Sequence, residues 1–82
     1  MSGGLVKRSL ILSGHRTSVA LEPEFWAALE RMARARGLGL PALIAGIDTA
    51  RDPVRPLASA LRVAALHAAQ ARADLGGTPH AC

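Results

Sequence analysis

Apolar and polar residues alternate between Leu5 and Leu21, and the phase of that alternation changes once. Before Gly14 the apolar positions are even, at Leu10 and Leu12. After it they are odd, with Thr17, Val19 and Leu21 on one side of the chain. Successive side chains of a strand point to opposite faces, so a straight strand cannot change phase. Ser13-Gly14 sits at the change and is a turn or bulge signal. The pattern predicts two extended segments, residues 5–12 and 15–21, with a bulge or a hairpin turn between them. In the second, HRTSVAL, the residues Arg16, Ser18 and Ala20 face away from Thr17, Val19 and Leu21.

The period then lengthens. Glu22-Pro23-Glu24 is a helix start, because proline has no N–H to lose in the first turn and acids suit the positive end of the helix dipole. A helix is predicted from Pro23 to Arg36. Phe25, Leu29, Met32 and Ala33 form its apolar stripe, Trp26 lies at the border, and Gly37 ends it. A second helix is predicted from Pro41 to Arg51, with Leu40, Leu43, Ile44 and Ile47 on its apolar side. Asp52-Pro53 and Pro56 mark a loop. A third helix is predicted over residues 57–73, packing through Leu57, Leu61, Ala64, Ala65 and Ala68. Residues 1–14 are expected to be a leader with one extra β segment, 15–51 a core unit, and 74–82 a disordered tail.

Composition narrows the class. Half of the 82 residues are hydrophobic, yet there is one Trp, one Phe and no Tyr. That is much apolar surface for a short chain, and sharing it with a second copy predicts an obligate oligomer. The net charge is +4 and the pI ≈ 11.1. Lys7, Arg8 and Arg16 open the chain with no acid before Glu22, which suits a polyanion as well as a solvated surface. The lone cysteine, Cys82, cannot form an internal disulfide, and MSGGLVKRSLILSG is too short in apolar core for a signal peptide, so a cytoplasmic protein is expected. No run reaches the about 18 apolar residues of a membrane span. His15, His67, His80 and Cys82 lack the clustered spacing of a zinc site. Asp48 and Asp52 have arginine neighbours, and Ser59 has no adjacent base. Metal, cofactor, small-molecule substrate and enzyme activity are therefore not expected.

Strand, helix, glycine turn and second helix, in RTSVALEPEFWAALERMARARGLGLPALIAGI, resemble the ribbon-helix-helix family of Arc, MetJ and CopG type. KRSLILSGHRTSVALEPEFWAALERMARARGL, followed by LASALRVAAL, resembles a bacterial subgroup with a KRS…GHRTS leader and an added helix. The resemblance implies a mainly α fold with a short β-ribbon, built as an intertwined homodimer whose strands pair antiparallel between subunits, plus a third helix. A tetramer or larger assembly stays open. It also implies a repressor-like transcriptional regulator that inserts this ribbon into the major groove of double-stranded DNA. Arg16, Ser18 and Ala20 map onto the base-contacting positions. Arg16 can donate twice to guanine, Ser18 is permissive, and Ala20 departs from the usual polar residue. Gly39 and Leu40 map onto a phosphate clamp at the second helix, where Gly39 replaces the usual Ser or Thr cap and Pro41 removes a donor. Lys7, Arg8 and His15 are expected at phosphates beside the ribbon. Val19, Leu21, Phe25, Leu29, Met32, Leu43, Ile44 and Ile47 are expected in the dimer core. The competing reading is an oligomerisation or interaction scaffold on the same fold, in which the leader strand covers the ribbon and DNA is not read.

Overall fold

The computed structural model describes residues 4–76. Two strands, β1 (Val6–Leu12) and β2 (His15–Leu21), precede three helices, α1 (Pro23–Ala35), α2 (Leu40–Ala50) and α3 (Leu57–Gly76). The strands form an antiparallel hairpin with Leu12 opposite His15 and Val6 opposite Leu21. Its two-residue loop has positive φ at both positions, 52° at Ser13 and 82° at Gly14. That is the backbone of a type I′ turn, whose twist matches the flanking strands.

The hairpin explains the change of phase. Cross-strand partners share a face, and here each even residue of β1 meets an odd residue of β2. Leu10 and Leu12 therefore lie on the same side as Val19 and Leu21, and all four are buried. They close one side of a core completed by Trp26, Leu29 and Ala33 of α1, Leu43 and Ile44 of α2, and Leu61 and Ala65 of α3. The third helix thus belongs to the same core, with Leu61 fully buried.

Helix α1 ends in a Schellman motif. The Leu38 amide donates to the Ala33 carbonyl at 2.8 Å and the Gly37 amide to Arg34 at 3.1 Å. Gly37 supplies the left-handed φ of 69° that this ending requires. Helix α2 starts at Leu40, after Gly39, and no side chain caps it.

Two expectations need correction. The buried stripe of α1 is Trp26, Leu29 and Ala33, while Phe25 and Met32 are only partly buried. The stripe turns toward Trp26 because its Nε1–H donates to the Val6 carbonyl at 2.7 Å, anchoring the ring beneath β1. Helix α3 also runs to Gly76 rather than Ala73. Nothing in Asp74-Leu75 forces an earlier stop, and the Gly76-Gly77 pair is the first strong breaker. The rest of the expected tail, with His80 and Cys82, lies outside the described residues. No helix among the described residues is long and apolar enough to cross a membrane.

Candidate nucleic-acid interface

The hairpin has one face on the core and one directed away from it. The outward face pairs Lys7 with Ala20, Ser9 with Ser18, and Ile11 with Arg16. Lys7, Ser9, Ile11, Arg16 and Ser18 are exposed, and Ala20 is half-buried. The Ser9 and Ser18 hydroxyls lie 3.4 Å apart. No ion pair among the described residues engages Lys7 or Arg16. The three residues read from sequence as one outward row are therefore together, with a second row beside them. Sequence reasoning missed Ser9 and Ile11, although the odd parity opposite Leu10 and Leu12 was the signal that places them.

Lys7 and Arg8, grouped in the sequence as phosphate contacts, lie on opposite faces. The Arg8 guanidinium donates to the Glu30 carboxylate at 3.0 Å and sits 4.6 Å above the Trp26 ring. It covers the core tryptophan rather than the outward face. His15 is exposed at the hairpin tip, beside the turn. Gly39 and Leu40 belong to a separate element at the start of α2, where Pro41 contributes no N–H.

The outer edge of β2 has no strand neighbour among the described residues. In a hairpin with a two-residue turn, the residues flanking the turn form a hydrogen-bonded pair and bonding then alternates. With Leu12 opposite His15, the backbone N–H and C=O groups of Arg16, Ser18 and Ala20 point to that open edge. Of the residues expected in a dimer core, Val19, Leu21, Leu29, Leu43 and Ile44 are buried within one chain. Phe25, Met32 and Ile47 are partly buried at its margin.

The junction between β2 and α1 is fixed by a second arginine. Arg62 of α3 donates to the Glu22 carboxylate at 3.0 Å and lies 5.8 Å from the Phe25 ring. The Glu22 carboxyl is held below its usual range by its own backbone amide first and by Arg62 second. Among the described residues no cluster of three His, Cys, Asp or Glu side chains is arranged to hold a metal.

A search of curated proteins found no match. Among solved structures, an uncharacterized protein from Bordetella pertussis Tohama I is similar, at 31% identity and a TM-score of 0.69. The similarity covers 94% of this chain and 64% of that one, so this chain spans under two thirds of its length. A family model described as a ribbon-helix-helix domain matches residues 5–69. Those residues hold the hairpin, both helices of the name and most of α3, and the chain belongs to the ribbon-helix-helix domain family.

Proposed function

We propose that this protein is a sequence-specific DNA-binding regulator of bacterial transcription, acting in the cytoplasm as a homodimer. The observation that carries the reading is the outward face of the hairpin, where Arg16, Ser18 and Lys7 stand together without a carboxylate. In the dimer, two β2 edges pair antiparallel through the backbone groups of Arg16, Ser18 and Ala20, and the paired strands meet the major groove. Arg16 donates twice to guanine O6 and N7, Ser18 donates or accepts, and Ala20 and Ile11 offer apolar contact to a thymine methyl. Lys7, Gly39 and Leu40 meet phosphates, which position the protein without reading sequence.

The test is a gel-shift comparison on genomic fragments selected by the protein and on random duplex. Arg16→Ala should lower affinity for the selected fragment by about tenfold or more, from the ~1–3 kcal/mol of a bidentate base contact, and leave random duplex nearly unchanged. Equal losses on both would remove Arg16 from base reading.

A second reading is favoured by one observation: β2 is paired along its length with β1 of its own chain. Two hairpins joined at β2 span three strand spacings of about 4.8 Å, already comparable to the about 12 Å of the groove before side chains are added. In that reading the four-stranded sheet is an assembly surface and the protein is a scaffold. The absence of any shift at low salt, with a solution mass above a dimer, would favour it.

A further inference from the structure

Helices α1 and α3 border a groove of about 250 Å³. Ala28, Met32 and Ala35 line it from α1, and Ala65, Ala68 and Ala69 from α3. The floor is therefore apolar and, apart from Met32, low, with methyl groups where a core would carry leucines. Arg31, Arg36 and Arg72 stand around it. The ion pairs among the described residues engage Arg8, Arg51 and Arg62, and none involves these three. Beyond Ala65, residues 66–73 of α3 are half-buried or exposed, although Leu66 and four alanines lie among them.

We propose that this groove binds an acidic amphipathic helix from another protein, an interaction independent of the DNA reading. The floor of alanines lets a third helix approach closely. Its length along α1, Ala28 to Arg36, is about 12 Å at the helical rise, enough for about two turns of an apolar stripe. Arginines on both walls select carboxylates on both flanks of that stripe. The same face of a second copy fits poorly, because it would set arginine against arginine. A nucleic acid fits poorly as well: the arginines can meet phosphates, but the apolar floor between them offers bases no hydrogen-bonding group and no aromatic ring to stack on.

The experiment is fluorescence anisotropy of labelled peptides on the full chain. One peptide is a synthetic helix with a leucine stripe flanked by glutamates, and the other carries lysines in their place. The glutamate peptide should bind about tenfold or more tightly than the lysine peptide, a difference expected of facing charges. Arg31→Glu combined with Arg72→Glu should reverse that preference. Ala69→Gln, a neutral change at an exposed helical position, should fill the groove and weaken the glutamate peptide. Circular dichroism checks each variant's fold, and Arg31→Gln with Arg72→Gln replaces the reversal if that variant loses its helices, the preference then disappearing. The proposal is overturned if the glutamate peptide does not bind, if the two peptides bind equally, or if Ala69→Gln leaves binding unchanged. It is likewise overturned if Ala69→Gln dissociates an oligomer of the chain, since the groove would then be covered by a second copy.

Discussion

Trp26 joins two elements with one side chain. Its ring is buried beneath Arg8 and its N–H reaches the carbonyl of Val6, the first residue of β1. Trp26→Phe keeps much of the apolar bulk but leaves that carbonyl without its donor and opens a small void. The expected cost is about 1–3 kcal/mol in urea unfolding, and a change within about 0.5 kcal/mol would mean that the bond holds nothing. The Arg8–Glu30 pair is half exposed, so its contribution is small, and Arg8 acts mainly by covering the ring. Glu22 makes a pH prediction. Its folded-state carboxyl titrates below its ordinary value, chiefly through its own amide and then through Arg62. The stability it contributes is present above that ordinary value and is lost as pH falls through the lower, folded one. An acid titration of stability should therefore be steeper for the parent chain than for Glu22→Gln across that window. Parallel curves would show that the junction is indifferent to the charge of Glu22.

At the scale of the element, the hairpin turn is the most exposed to test. Ser13 pays a steric cost at φ 52°, a conformation that asparagine tolerates better. Ser13→Asn should raise stability by some tenths of a kcal/mol, up to about 1 kcal/mol. Gly14→Val, placing a β-branched residue at φ 82°, should lower it by about 1–2 kcal/mol or more. Thermal unfolding of the two variants checks the pair, and the same sign for both would rule out the turn geometry. The strands were legible because Leu10, Leu12, Val19 and Leu21 keep a strict period on either side of Gly14. The choice of hairpin over bulge was not, because Ser13-Gly14 serves both and only the pairing of β1 with β2 decides. The same limit applies in α1. Phe25 and Trp26 are 100° apart on the helix, and either could have faced inward until β1 supplied the carbonyl that holds Trp26. The end of α3 is not legible in the sequence because an alanine-rich segment carries no strong stop before Gly76. For the outward row, Arg16, Ser18 and Ala20 followed from parity within one strand, whereas Ser9 and Ile11 required the register across two.

For the whole molecule, the decisive test of the proposed DNA binding is its response to salt. The chain carries a net +4, but charge alone does not say which cations meet phosphates. The geometry separates two neighbours: Lys7 is exposed on the outward face, while Arg8 is turned to the other side, over Trp26 and against Glu30. Each phosphate contact in B-DNA contributes about 0.9 to the slope of log affinity against log salt, through release of counterions. If a homodimer uses one Lys7 from each chain, Lys7→Gln should flatten that slope by about 1.8, and by only about 0.9 if one chain binds alone. Arg8→Gln should lower stability slightly and leave the slope nearly unchanged. Titrating binding between low and moderate salt for the parent and both variants yields the residue and the number of chains together. A slope that moves with Arg8 and not with Lys7 would mean that the other side of the hairpin faces DNA. A slope unchanged by either substitution would leave the hairpin without a DNA role and transfer the weight to the scaffold reading.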